Sequence, residues 1–462
     1  MKSESLFKIL AIFFLIFTFA FKIYIILNGS IGFDEAGIVY VAEGMADGGQ
    51  LYTDYFDHKP PFMHYLLSFF YEFANPSVLS IKSLAFLFDI ILLASIYFIA
   101  ARLSNKNLAI IALSIAAIYN ISLELNTETL MAVFGLWSFY FYTKALKLKN
   151  FINSNLFIAG IFLAIAIWFK QTAVIFYVAF LIHVIYLKYK KVLTGRESFR
   201  GILMLTLGVL IISIPLLSYF LFKVGYQFIY SLIEFNLLFK GSSSRILQLG
   251  KGLNILVFYL GFLLVIILSQ MSSKLKQDKI YPALVVFNIV NLLFILSSQE
   301  IFYQHFFQLV PFTILLAVYS LKNAAPKIQK ILFLVIILGL AIISLSTLEQ
   351  KMREIRSDGQ GTNEVLSYLN ATVPKDTIFF SDTPIYTLLG GYTLNQPLVG
   401  AAPSFNSVFD YKFVCNQDYI VLTHRQNYLS PEVQECVNGN FTLLKRFDNI
   451  GESFVEIKKL NK

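Results

Sequence analysis

The chain reads as a polytopic α-helical membrane protein that ends in a small α/β domain. Three observations carry this. Of 462 residues, 57% are hydrophobic and only 14% are charged, where a soluble domain carries about 25% charged residues. Apolar runs of the roughly 18–20 residues needed to cross a bilayer recur along most of the sequence. From about residue 348 the composition changes to a mixed, polar one with short strand-like runs. The net charge of +9 fits Lys and Arg flanking helix ends, and nucleic acid is not an expected partner.

Membrane spans are expected at about 6–27, 80–102, 107–123, 127–146, 155–170, 171–188, 201–222, 252–270, 280–298, 303–321 and 329–347, eleven in all. The first is too long for a signal-peptide core and lacks a small-residue cleavage site, so it is read as a retained helix. With a cytoplasmic N-terminus, every inner loop is basic: Arg102 and Lys106; Lys144, Lys147 and Lys149; Lys188, Lys190, Lys191, Arg196 and Arg200; Lys274, Lys276 and Lys279; Lys322, Lys327 and Lys330. That positive-inside pattern places the loop 28–79, and all that follows residue 347, on the outer face of the plasma membrane. Residues 1–347 then form a membrane domain and 348–462 an extracytoplasmic one.

The tail offers "TIFFS" and "DYIVLTH" as strands and "NEVLSYLN" as a helix. It holds both cysteines of the chain, Cys415 and Cys436. An oxidising compartment permits a bridge between them, and two buried free thiols are the alternative.

The first outer loop is where chemistry concentrates. "GFDEAGIVYVAEGMADGGQLYTDYFDHKPPFMHYL" holds six carboxylates, two His and one Lys between very apolar segments. From Ala36 to Asp47 the apolar residues follow helical spacing, which predicts an amphipathic helix lying on the outer membrane surface. A second short helix follows Pro60-Pro61. Asp34 sits at the exit of the first span. Partial desolvation there raises a carboxylate's basicity and suits a general base toward a hydroxyl; N-capping of the helix from Ala36 is the equal alternative. Lys59, fixed by the Pro-Pro after it, suits a phosphate. Glu124 and Glu128 share a helical face. Lys170 is read as a snorkelling residue at a helix end. Arg245 lies in an outer loop, "FKGSSSRILQLGKG", that is basic against the trend, which suits an anion such as lipid phosphate, with a merely solvated basic loop as the equal alternative. His305, beside Gln304 and Gln308, is a candidate to line the site. Asp54, Asp57 and His58 are possible substrate or metal contacts, although their spacing matches no standard ligand set. Asp89 lies inside the second span, with a partner the sequence does not name.

The stretch from Phe33 to Leu66 resembles the first outer loop of GT-C fold glycosyltransferases that use polyprenyl-phosphate sugars, chiefly the protein O-mannosyltransferase and aminoarabinose transferase relatives of glycosyltransferase family 39. The shared pattern is an acidic pair after the first helix, a short helix, a Gly-containing turn, an aromatic and acidic run, and Lys-Pro-Pro. "LNTETLMAVF" resembles the second outer loop and "YQHFFQLVPF" a late helix. The resemblance implies that Asp34 is the catalytic base, that Glu35 is its neighbour in the acidic pair, that Glu128 is the second-loop acid, and that Lys59 binds the lipid phosphate; Arg245 and His305, picked out by their position and charge, are further donor-side candidates. It implies transfer of a monosaccharide from an undecaprenyl- or dolichyl-type phosphate to a hydroxyl of a protein, lipid or glycan acceptor, with inversion and without a required cofactor. His58 stands where the aminoarabinose branch carries an acid before Lys-Pro-Pro, which weakens any metal role there. A secondary transporter and a non-catalytic envelope scaffold are the rival readings. The placement of the ionisable groups at the outer border, not at mid-membrane, argues against transport.

Overall fold

The computed structural model describes residues 2–120, 123–148, 152–238, 250, 278–298, 303–322, 339, 348–349, 352, 355, 361–374, 377, 379–390, 392, 414–423, 431–450 and 453–461. The expected spans at 252–270 and, apart from Gly339, at 329–347 lie outside these residues, as does Arg245. The other expected spans fall on helices: α1 (Lys2–Asn28), α4 (Val78–Leu103), α5 (Lys106–Tyr119), α6 (Thr127–Lys147), α7 (Ser154–Phe169), α8 (Val174–Tyr189), α9 (Gly195–Lys223), α12 (Ile280–Ser297) and α13 (Val310–Lys322). Between them lie α2 (Phe33–Ala46), α3 (Phe62–Tyr71), α10 (Tyr226–Ile229) and α11 (Phe235–Leu238).

Among the described residues, five helices are long and apolar enough to cross a membrane: Ile9–Asn28, Val78–Leu103, Gln171–Tyr189, Gly195–Lys223 and Ile280–Ser297. The expected span 303–321 begins instead as a 3-10 turn, Tyr303–Gln308, and becomes α-helical only at Val310. The helix boundaries follow ordinary capping chemistry. Asn105 accepts from Leu108 N, Asn126 from Thr129 N, and Thr194 from Glu197 N, each filling one orphan donor of a helix start.

One apolar core runs through α1, α2 and α4 to α8, α12 and α13. The sequence pattern places α2 flat on the membrane surface. It is instead buried on nearly every side, from Glu35 through Ala42 and at Gly44. The reason lies in its small and β-branched residues, which let α3 and the bundle close around it. Gly44 and Gly49 complete this: a Cβ on either would meet the Tyr55 ring at 2.1 and 2.3 Å. The helices α7 and α9 cross in a similar way. A Cβ on Gly160 would strike Leu205 O, and one on Gly208 would strike Phe157 O, both at 2.1 Å. Small residues that let helix backbones touch are the usual packing device within membranes.

The tail forms a four-stranded sheet of order β1-β2-β4-β3. β1 (Phe379–Ser381) runs parallel to β2 (Tyr419–Thr423). β4 (Ser453–Leu460) is antiparallel to both β2 and β3 (Phe441–Ile450). "TIFFS", "DYIVLTH" and the helix over 361–372 thus fall where the sequence pattern puts them. The β3–β4 hairpin is not legible in that pattern, since its strands alternate charges and apolar residues without a clean period. Cys415 and Cys436 are joined by a disulfide. Leu348, Met352, Ile355 and Leu389 pack against the membrane core, so the tail is seated on the helices.

Candidate active site

The acidic pair Asp34-Glu35 opens α2, and the two carboxylates are placed very differently. The helix begins at Phe33 with Gly32 as its N-cap, three residues earlier than the sequence suggests. Asp34 therefore does not cap it. Glu35 supplies the local bond, accepting from Gly32 N at 2.8 Å. Its carboxylate also takes the Lys82 ammonium at 2.7 and 2.9 Å and Leu125 N at 2.8 Å. Lys82 further donates to Leu123 O at 3.3 Å. Glu35 is 2% exposed. It is thus a buried tie between α2, α4 and the α5–α6 loop, with its acceptor sites occupied. Leu123 sits at φ 51°, a left-handed conformation uncommon for a non-glycine residue, which these bonds hold in place.

Asp34 is only half-buried and accepts from Gln304 Nε2 at 3.2 Å, in the 3-10 turn before α13. Its position beside an otherwise satisfied Glu35 is set by the helix geometry alone.

The Lys-Pro-Pro loop is tied down from several directions. Asp57, 2% exposed, accepts from Lys59 N at 3.0 Å and from His64 Nε2 at 2.8 Å. The Lys59 ammonium lies 3.6 Å from the same carboxylate, and His58 Nδ1 3.4 Å from it. The His58 carbonyl accepts from Gln171 Nε2 and Asn236 Nδ2, and the Lys59 carbonyl from the Tyr52 hydroxyl at 2.8 Å. Tyr52 itself holds φ 72°. The loop's charges explain its protonation. Burial pushes Asp57 up, but Lys59, His64 and His58 outweigh it and hold the carboxyl far below the ordinary range. Burial pushes Lys59 down, and the carboxylates of Asp57, Asp34 and Glu128 more than offset it, so the ammonium is held above its ordinary value. Burial, then the charge of Lys59, drives His58 down to about 4 despite Asp57, so its ring is neutral at pH 7.

Glu128 stands in the first turn of α6 and is 3% exposed. It pairs with Lys170 at the α7–α8 corner and accepts from the Thr127 hydroxyl at 2.9 Å. Lys170 therefore does not snorkel into the headgroups: it turns inward to a buried acid. The charges of Lys170, Glu128 and Asp34 all reach His305. Asp34, Lys59, Glu128, Lys170, His58 and His305 thus form one electrostatic neighbourhood, drawn from five separate parts of the chain. Asp54 is not part of it. That residue is exposed and accepts from Gln50 N in a surface turn. Among the described residues, no three His, Cys, Asp or Glu side chains converge so as to hold a metal.

Lys82 and Asn236 hold this cluster unnoticed by sequence reasoning, Lys170 is read there only as snorkelling, and Gln304 is named there only beside His305. Lys82 and Lys170 left a usable signal, because a cation at a membrane helix end next to a loop of buried acids invites a partner. Asn236 left none.

Residues 58–219 match the family described as dolichyl-phosphate-mannose-protein mannosyltransferase. Over these residues the chain is similar to that mannosyltransferase family. The match includes Lys-Pro-Pro, Glu128 and Lys170. The fold is similar to that of ArnT from Cupriavidus metallidurans, solved bound to undecaprenyl phosphate: TM-score 0.67 at 11% identity, over 96% of this chain and 97% of that one. The apo form of the same protein gives a TM-score of 0.65 at 12% identity, over 97% of each chain. The oligosaccharyltransferase of Archaeoglobus fulgidus, in complex with Zn and sulfate, gives 0.52 at 12% identity, over 93% of this chain and 71% of that one. No curated protein matches the sequence.

Proposed function

We propose that this protein transfers a monosaccharide from a polyprenyl-phosphate donor to an acceptor hydroxyl at the extracytoplasmic face of the membrane. The observation that carries the reading is the coupling of Asp34 and Lys59: 25 positions apart in sequence, they lie within electrostatic reach of one another beside Glu128. The fold shared with a protein solved on undecaprenyl phosphate supports the donor class. The basic inner loops support a cytoplasmic N-terminus.

In the proposed step, Asp34 takes the proton of the acceptor hydroxyl. The oxygen forms its bond to the anomeric carbon from the face opposite the phosphate. The bond from that carbon to the phosphate oxygen breaks with its electron pair, and lipid phosphate leaves. The configuration inverts. Lys59 offsets the charge that gathers on the leaving oxygen, as fixed cations do at other phosphate-releasing sites. Asp57 and His64 fix the backbone that carries Lys59. The Glu128–Lys170 pair and Gln304 hold the surroundings of Asp34. Glu35 shapes the helix on which the base rides.

The test uses purified protein in detergent, where no compartments exist and transport is invisible. Radiolabelled polyprenyl-phosphate monosaccharides are supplied with an extract of the host envelope. Transfer with release of lipid phosphate, lost in Asp34→Asn, is expected. A folded wild type that turns over no donor sinks the reading.

A further inference from the structure

The short helix Ile385–Gly390 of the tail stands between two cores. Tyr386, 3% exposed, packs into the core of the tail with Val365, Leu369 and Val421. Ile385, Leu388 and Leu389 pack into the core of the membrane bundle. Positions i, i+3 and i+4 share one helical face, so the helix gives one side to each core. Its entry is fixed to the sheet. Asp382 accepts from Thr423 N at 2.7 Å and from the Thr423 hydroxyl at 3.1 Å, and its own N–H donates to Val421 O at 3.2 Å. Within the bundle, the helix packs against α2. Leu389 lines a cavity together with Ser30 and Ile31, the residues that lead into α2, so the approach is at the end of α2 that carries Asp34.

We propose that the tail positions the base: the helix Ile385–Gly390 braces the first turn of α2 so that Asp34 faces the site, and Leu388, the most buried residue of its bundle-facing side, is the positioning residue. The inference rests on the glycosyl-transfer reading above and gives the tail a part in the reaction. Asp34 is held by a long bond from Gln304 Nε2 at 3.2 Å, so its carboxylate stands where the backbone of α2 puts it. A general base must lie within about 2.6–3.2 Å of the hydroxyl it deprotonates, which leaves little tolerance for a shift of that backbone. Protein interiors are dense enough to pass the loss of one side chain on as a displacement of the neighbouring element. Lys59 is insulated from such a displacement, because its loop is tied by Tyr52, Asp57 and His64, none of which belongs to α2. Donor binding and proton removal are therefore braced by separate parts of the chain.

Two measurements on the full chain test this. In the transfer assay, Leu388→Ala should lower kcat by about 10- to 100-fold, the scale of a displacement of about 1 Å at a reacting group. The KM for the polyprenyl-phosphate donor should stay unchanged, and Leu388→Met should recover most of the rate. Ile420→Val, in the tail's second core beside Phe380 and Leu422, should lower the melting temperature and leave kcat as it is. Should Leu388→Ala not fold, Ile385→Ala, half-buried on the same face, takes its place with a smaller fall in kcat. An unchanged kcat, a rise in donor KM in place of the fall, or an equal fall in Ile420→Val overturns the proposal. The second measurement needs no turnover. By hydrogen exchange, Leu388→Ala should speed exchange of the amides at the start of α2 and leave those of residues 50–61 as in wild type. Unchanged exchange in α2 overturns the brace whatever the activity. A wild type that turns over no donor removes the transfer reading, while faster exchange in α2 still upholds the brace.

Discussion

Among the described residues, two of the bundle's buried charge clusters are built on opposite principles. The first joins Lys22 of α1, Asp89 of α4 and Asn120 after α5. Lys22 is 0% exposed and Asp89 1%. One cation meets one anion, and the amide takes the remaining oxygen. The second gathers Asp34, Asp57, Glu128, Lys59 and Lys170 at the end of the bundle, with two lysines shared among three acids and Asp34 half-open. The closed cluster balances its charges and excludes ligands. The other leaves Asp34 half-buried and the Lys59 ammonium 14% exposed, the opening that the proposed transfer needs. Burial alone does not distinguish the two clusters; the exposure left to a carboxylate and an ammonium does.

The sharpest way to break this contrast is to neutralise one acid in each cluster. Asp34→Asn should lower kcat by about 10²–10⁴-fold, the usual worth of a general base, and leave the thermal midpoint in detergent unchanged. Equal transfer by the variant removes Asp34 from the chemistry. Lys22→Met should do the reverse. Stranding Asp89 without its cation should cost about 3–5 kcal/mol of stability, read as a lower melting temperature, while the folded fraction keeps its rate. Adding Asp89→Leu should recover most of that loss, because a well-packed apolar pair replaces a buried ion pair at little cost.

Lys59→Ala comes next, with a fall of about 10²–10³-fold in kcat, the scale for losing one electrostatic contact to a developing anion. Lys59→Arg should restore part of it, whereas no cation at position 82 should matter to the rate beyond folding. The smallest effect concerns pH. His58 has its folded value near 4 against 6.5 when free. Between these values the unfolded chain binds a proton that the native loop refuses, so stability falls as pH drops through that window. Asp57 stays ionised in the native loop throughout it and adds slope only at the lower end, where the unfolded carboxyl begins to take up a proton. His58→Gln should flatten the melting temperature between pH 6.5 and 4; an unchanged slope assigns the titration elsewhere.

Much of this organisation was legible in the sequence, for identifiable reasons. Span length and the polar tail follow from hydropathy, which the bilayer enforces on every helix. Asp34, Lys59 and Glu128 could be picked out because acids and a Lys-Pro-Pro lie next to apolar runs. Partnership was not legible. Asp89 needed Lys22, 67 positions away, and Glu128 needed Lys170, 42 positions away, and no local pattern encodes which helices touch. The burial of α2 was missed for the same reason: Ile38, Val41, Ala42 and Met45 give it an amphipathic reading, while its other face is covered by partners whose placement is tertiary. Glu35 looks like the twin of Asp34 until Lys82 and Leu125 are seen to occupy it.

The crossing of Gly160 and Gly208 has a mechanical consequence. Because two backbones touch there, α9 rests on a fulcrum. Twelve residues further on, about 18 Å along the helix axis, Phe220 packs on the Tyr52 ring at 6.1 Å. Tyr52 in turn bonds the carbonyl of Lys59. A single methyl added at the glycine crossing therefore acts on the far arm of a lever whose tip bears on Lys59, and a lipid-facing helix becomes a handle on the proposed site.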